Sequence, residues 1–451
     1  MKKLWILIVV LILGAIGFVY FSPMFEKEPP KIKIITNGYT NLQKPIKVII
    51  TDNRGIKSYE VIVSAPNFEE VIAKSASPNL GKKVILNIKL SHELVSFKQV
   101  KFTVIATDTS DWHFFKGNTA KKTVVLKVDT TPPNAVIIDN SYAIGRGGSA
   151  AVVVQVGDKN LKDAYILVDN KYKFKLIPFV KKGYYAAIIA WPFRENTFDA
   201  NVVAIDYAGN KSITHIPLYW RSGYIYKFHP KKITISDNFI QNVAKNVLIK
   251  MGMQVPNNPI EIFKMENNTL RKIDEKDISK ITSKVYELQE HKIVNNFNIR
   301  RFNPLPGSVE EAGFMDFRHY YYHGKEISTA IHKGLDLAKI EHSKVYASNP
   351  GMVVAEKYEG IYGNTLFLYH GLGVYSTYSH LSEFIAKPGQ KVYRGEVIAR
   401  TGSTGGVFGD HLHFGIYVQG WPVQPLEWMD PHWVKINILN ILNQSKKIIN
   451  K

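Results

Sequence analysis

The stretch Gly409–Gly420 reads GDHLHFGIYVQG and sets His411 and His413 two residues apart in a run with the texture of a buried β-strand. On a strand successive side chains point to opposite faces, so these imidazoles share one face while Leu412 and Phe414 share the other. A lone His-x-His is more often an ordinary pair than a site, so its meaning depends on a third group. The stretch AIHKGLDLA supplies one, placing His332 and Asp336 in a His-x-Gly-x-Asp pattern. The glycine between them is expected to let the backbone turn tightly, so that both side chains meet one point in space. Two histidines and a carboxylate with an open position form the ligand pattern of catalytic zinc. The chain has no cysteine, which excludes a thiol nucleophile, a disulfide and a thiolate metal site and leaves imidazole and carboxylate as ligands. Zinc held in this way lowers the pKa of water to roughly 7, and the accompanying proton traffic suits imidazoles with pKa near about 6.5.

The elements that must position these residues can be read along the 451-residue chain. Residues 1–30 open with two lysines before an apolar run from Leu4 to Phe21, about the minimum for a bilayer span. This is expected to be an uncleaved signal anchor in the cytoplasmic membrane, with Lys2 and Lys3 inside and everything after residue 25 on the extracytoplasmic, periplasmic side. Residues 31–128 and 129–222 have the short alternating apolar runs of two Ig-like β-sandwiches, supported by an internal repeat. TDNRGIKSYEVIV from Thr51 echoes GDKNLKDAYILVD from Gly157, and FTVIATDTSD from Phe102 echoes NVVAIDYAGN from Asn201. The DTTPPN stretch at Asp129 is a stiff joint between the copies. Residues 223–300 read as a helical connector, with an N-cap at Ser236 or Asp237, a terminal Gly252 and a second, weaker helix near Asp277. Residues 301–430 are glycine-rich and β-like, 9 of the 14 histidines fall between His319 and His432, and residues 431–451 read as a basic tail. The net charge of +20 is uneven: residues 301–430 carry 11 Lys plus Arg against 13 Asp plus Glu, and residues 1–300 carry +18. A basic exported arm is attracted to anionic lipid headgroups or wall polymers, although a compositional bias towards Lys, Ile and Asn gives the same excess. Nucleic acid is not an expected partner, since export removes it and no recognised nucleic-acid motif is present.

Residues 302–427 resemble the lysostaphin-type (LytM-like) zinc metallopeptidases that cut peptidoglycan. The resemblance rests on HKGLD, VYASNPGMVV, GIYGNTLFLYHGLGVYSTYSHLS, PGQKVYRGEVIARTGSTGG and DHLHFGIYVQGWPVQPLEW, in family order over about a quarter of the chain. It implies a mainly β chain ending in a LytM-type metallopeptidase domain, one Zn2+ per chain held by His332, Asp336 and His413, and two non-ligand catalytic histidines, His380 and His411. It also implies a zinc endopeptidase acting on peptidoglycan cross-links, with D,D-endopeptidase action on D-alanyl to diaminopimelate links. Asp410 stands where the family usually has proline or a small residue, and is expected to act on His411. Tyr378, two residues before His380, is expected on the same strand face, as wall packing or as a donor to the oxyanion. His319, His323, His342, His370 and His432 are expected to be ordinary, as are His92, His113 and His215. An alternative class is a non-catalytic LytM-like regulator of other wall hydrolases; such members have lost metal ligands, whereas all five functional positions are present here. A third is a structural wall-binding module in which the basic arm matters most.

Overall fold

A computed structural model describes residues 2–284 and 292–451. Strands hold 42% of it against 23% for helices, so the chain is mainly β. It divides into two compact units, Met1–Pro133 with Asp158–Lys162 and Ile205–Lys211, and the remainder of Asn134–Lys451.

The first unit begins with the helix Lys2–Phe21, which buries none of its side chains and is long and apolar enough to cross a membrane, a property that anchors share with signal sequences. A five-stranded and a three-stranded sheet follow. In Ile46–Thr51 the alternation puts Ile46, Val48 and Ile50 inside and Lys47 outside, where they join Val61, Val63, Phe102, Val104 and Leu126 in one core. Each such side chain contributes about 1.5–3 kcal/mol on burial. The two echoing segments of the first copy become neighbouring strands, Ile56–Ala65 and Gln99–Asp108. Both copies repeat one hydrogen-bonding device. Asp108 accepts from the side chain of Asn118 (2.8 Å), which also donates to the carbonyl of Glu26, three residues before Pro29 (2.7 Å). In the second copy Asp206, Asn210 and Asp129, three residues before Pro132, take the same parts, at 2.8 Å in each bond.

In the second unit strands of the C-terminal region form an eight-stranded sheet whose inner member, Leu412–Val418, is buried at every position. It pairs antiparallel with Leu335–Ala338 on one side and Val374–Ser379 on the other. The connector differs from expectation in three ways. It contains a strand, His229–Thr234, paired in parallel with Asp316–Tyr322. Its second helical stretch begins at Pro259, capped by the Asn258 side chain, and not near Asp277. A π-turn over Met265–Leu270 interrupts that stretch and breaks the 3.6-residue period from which a helix is read. Residues 285–291 of the expected connector lie outside the described residues. Ser236 caps as expected, accepting from the N–H of Phe239 at 3.1 Å. The expected basic tail is instead helical: Asn440–Ile449 buries Ile441, Leu442 and Ile449, and packs on Asn134–Asn140 and Ser149–Gly157.

Glu427 ties the C-terminal region to the four-stranded sheet that contains Ser149–Gly157. It is buried and accepts from the N–H of Ser149 (2.9 Å) and the hydroxyl of Tyr226 (3.0 Å). Burial outweighs these bonds and pushes its carboxyl up from near 4.5 to about 8. The folded state therefore retains a proton that the unfolded chain releases, and the resulting stabilisation, full below the unfolded pKa, is lost as pH rises through about 8. Between about pH 5 and 9 the thermal midpoint of Glu427→Gln should fall less steeply than that of the natural protein; parallel curves would remove Glu427 as the cause.

Candidate metal and catalytic site

The site is assembled by register. Asp336 lies directly opposite His413, and Ser379 opposite His413 on the other flank. Leu412 and Phe414 point the other way and are fully buried, as the alternation requires. His332 follows the strand Lys325–Ile331, its N–H donating to Asp316 and its carbonyl accepting from Met315, at 2.9 Å each. Three donor atoms converge. His332 Nε2 is 2.9 Å from His413 Nδ1, His413 Nδ1 is 2.9 Å from Asp336 Oδ1, and His332 Nε2 is 3.0 Å from Asp336 Oδ1.

Gly334 admits this convergence for a different reason from the one expected. Its backbone is not in the left-handed region; a Cβ there would stand 2.6 Å from both His413 Nε2 and the Phe414 carbonyl. The glycine leaves room for a ring, and the turn does not require it.

The donor set fits a cation. His332 Nδ1 faces the Gly313 carbonyl at 2.8 Å, so it carries the ring proton and leaves Nε2 a lone pair. Burial and the Arg318 charge push His332 down to about 4, which keeps it neutral near pH 7. Burial raises the Asp336 carboxyl, but His332, His413 and Arg318 outweigh it and hold the group well below the usual range. A lone pair and a carboxylate oxygen thus face each other 3.0 Å apart. Bonds of about 2.0–2.1 Å at tetrahedral angles separate zinc donors by roughly 3.3 Å, within a few tenths of this triangle. The second oxygen of Asp336 accepts from Arg318 Nη2 at 2.7 Å, which fixes the direction of the first.

His380 and His411 flank the triangle, their ring centroids 4.8 Å apart, and the His380 ring lies 5.8 Å from that of His413. His380 Nδ1 donates to the Thr404 carbonyl (2.8 Å) and His411 Nδ1 to the Gly409 carbonyl (2.9 Å). Both therefore keep Nε2 for the cavity, and His411 Nε2 is 3.7 Å from Asp336 Oδ1. Burial, then the charges of His411 and His413, hold His380 well below its ordinary value.

The expectation that Tyr378 and His380 share a face fails. The strand ends at Ser379 and His380 has a φ of 63°, a left-handed backbone that costs a non-glycine residue about 1–3 kcal/mol and is common at functional sites. The reversal turns the imidazole to the His413 side. Tyr378 stays in the wall, fully buried against Phe414, its hydroxyl accepting from Ser376 at 3.0 Å. Asp410 is engaged by His342, accepting from its backbone N–H at 3.1 Å, and not by His411. The sequence reading missed Arg318, whose strand is not paired with that of Asp336, and Tyr362, whose ring meets His413 edge-on at 5.3 Å. All five predicted residues line one cavity of about 440 Å³. The connector lines the same cavity through Ile235, Phe239, Phe263, Glu266, Asn267 and Arg271, with Phe239 stacked on Phe408 at 4.5 Å.

Gly334→Ala should push His413 out of the triangle, cost about 1–3 kcal/mol of stability, and weaken zinc binding in a direct titration. Gly157→Ala, with no atom within 4 Å of its added Cβ, serves as the control. Unchanged zinc affinity in Gly334→Ala would show that the close approach is not needed.

Residues 330–425 match the model of Peptidase family M23. The chain is 34% identical over 136 residues to "Peptidoglycan DD-endopeptidase ShyA" of Vibrio cholerae, covering 30% of this chain and 27% of that protein. It is 40% identical over 96 residues to "DD-carboxypeptidase/endopeptidase Mpg" of Neisseria meningitidis, covering 21% of this chain and 22% of that one. This chain thus spans about a quarter of the length of the curated relatives it matches. Among solved structures, a putative M23 peptidase from Pseudomonas aeruginosa aligns with a TM-score of 0.39 at 17% identity, over 65% of this chain and 97% of that one. The C-terminal region of this chain, which holds the His332–Asp336–His413 triangle, carries a peptidase family M23 domain.

Proposed function

We propose that this chain is a membrane-anchored zinc endopeptidase that hydrolyses peptide cross-links of peptidoglycan outside the cytoplasmic membrane, as a D,D-endopeptidase on D-alanyl to diaminopimelate links. The observation that carries the reading is the triangle of His332 Nε2, Asp336 Oδ1 and His413 Nδ1, all within 3.0 Å of one another. The family match and the activities named for the relatives support it. In this reading the Lys2–Phe21 helix is the anchor, the two β-sandwiches are Ig-like spacers, and the basic arm meets anionic wall polymer or lipid.

His332, Asp336 and His413 would hold one zinc ion per chain, and a bound zinc would supply Lewis acidity towards the scissile carbonyl and lower the pKa of a water to near neutral pH. Arg318 keeps Asp336 ionised and aimed. His380, its Nδ1 fixed on Thr404, presents Nε2 to accept or return a proton, and its lowered pKa keeps that nitrogen free near neutral pH. His411, its Nδ1 proton committed to Gly409, offers a second Nε2 on the same side; after taking up a proton there it is an imidazolium that can donate to the leaving amine or to the developing oxyanion. Tyr362, Phe239 and Phe408 contribute apolar surface to the same cavity.

His413→Ala and Asp336→Ala should lose both bound zinc and turnover of purified muropeptides. His411→Ala and His380→Ala should keep near one zinc per chain while turnover falls by about 10² to 10⁴. Elemental analysis beside mass spectrometry of the digests distinguishes the classes. Full turnover in all four variants would refute the proposal, and zinc lost from His411→Ala but kept by His413→Ala would reverse the two roles.

A further inference from the structure

The connector helix places three polar side chains, Glu266, Asn267 and Arg271, in the lining of the cavity that holds the metal triangle. The π-turn brings residues five apart onto one side, with the N–H of Arg271 donating to the Glu266 carbonyl; such turns recur at functional sites. Asn267 ties the group to the catalytic region, its amide donating to Ser328 Oγ at 2.8 Å. Its side-chain oxygen accepts from Arg271 Nε (3.0 Å) and Nη2 (2.8 Å), which fixes the plane of the guanidinium. Among the described residues nothing accepts from Nη1, so one face of a rigid five-donor fork is presented to the cavity.

Glu266 is 3% exposed, and among the described residues its carboxyl has no hydrogen-bond partner. Gly406 leaves it space, since a Cβ there would overlap Glu266 Oε1. Burial, only partly offset by the neighbouring Arg271 charge, holds this carboxyl up at about 7. An anion receptor and an acceptor without a hydrogen-bond partner among the described residues, neighbours in the cavity that holds the triangle, match a ligand that carries a carboxylate and an ammonium on one carbon.

We propose that Arg271 and Glu266 form a subsite for the free zwitterionic end of the diamino acid in a peptidoglycan stem, Arg271 taking its carboxylate and Glu266 its ammonium. In a D-alanyl to diaminopimelate cross-link the donor stem carries this free end on the residue next to the scissile D-alanine. The subsite thus selects diaminopimelate stems over lysine stems, which lack the carboxylate, and over amidated ones. The inference rests on the peptidoglycan reading for its substrate, but its own test is binding.

The full chain is titrated calorimetrically with the monomeric stem tetrapeptide, its diaminopimelate side-chain carboxyl either free or amidated, and with the free form N-acetylated on its ammonium. A charge-assisted hydrogen bond to carboxylate predicts about 10- to 100-fold weaker binding of the amidated form. Arg271→Met should bind free and amidated forms alike, Arg271→Lys should recover part of the difference, and Glu266→Gln should abolish the effect of N-acetylation while keeping that of amidation. Equal affinity of the natural protein for free and amidated peptide overturns the inference without any variant, as does discrimination that survives in a folded Arg271→Met. Arg271-dependent binding with no cleavage of cross-linked dimers would instead leave the subsite standing and remove the endopeptidase reading. Cleavage of free and amidated dimers with equal KM, unaltered in Arg271→Met, would do the reverse.

Discussion

Asp336 lies directly opposite His413 on neighbouring antiparallel strands, and a slip of one residue in that pairing would carry the carboxylate and the imidazole to opposite faces of the sheet. Little else at the site could correct such a slip, because His332 reaches the same point only from the far side of the Gly334 connection. The register is enforced from behind. Leu412, Phe414 and Ile416 are fully buried on the reverse face, so a shifted strand would exchange three apolar side chains for His413, Gly415 and Tyr417. The apolar face thus secures the polar one.

That arrangement concentrates charge where water is scarce, and neighbours decide which groups bear it. Burial alone would neutralise Asp336, but Arg318 and the two histidines keep it ionised. The same Arg318 disfavours a proton on His332. Burial and this one guanidinium together keep His332 neutral, and the same guanidinium joins the two histidines in keeping Asp336 a carboxylate. Glu266 and Glu427 have no such neighbour close enough to outweigh burial, and both are pushed up. The contrast locates the ion-ready point at the triangle and leaves the other buried carboxyls for hydrogen bonding.

The sequence made the local patterns legible. Alternation placed His411 and His413 on one face, the spacing of His332 and Asp336 pointed to a shared centre, and the Ser236 cap and the long apolar helix near the N-terminus could be read directly. Features that depend on a break in periodicity could not. The π-turn hid the helix beginning at Pro259, and the left-handed backbone at His380 reversed the face that a continued strand would have given it. Arg318 lies on the strand Asp316–Tyr322, which has no paired register with that of Asp336, so no spacing links them. The helix Asn440–Ile449 was masked by its lysines, since charge dominated the reading of a segment whose Ile441, Leu442 and Ile449 recur at helical spacing.

These non-local partners change what counts as the functional unit. The family match begins at residue 330, yet Arg318, which orients Asp336, precedes it, and so does Gly313, whose carbonyl fixes the tautomer of His332. Part of the lining of the cavity that holds the triangle comes from still earlier, between Ile233 and Arg271. That stretch cannot be trimmed as a linker, because its strand His229–Thr234 extends the sheet that carries Arg318, and its apolar residues Phe239, Ile262 and Phe263 share a core with Tyr320, Ile361 and Tyr417 of the catalytic region. Removing it would expose that core and strip the support from the Arg318 strand. The chemistry is carried by the catalytic strands, but its geometry is set by a segment that sequence composition alone assigns to a connector.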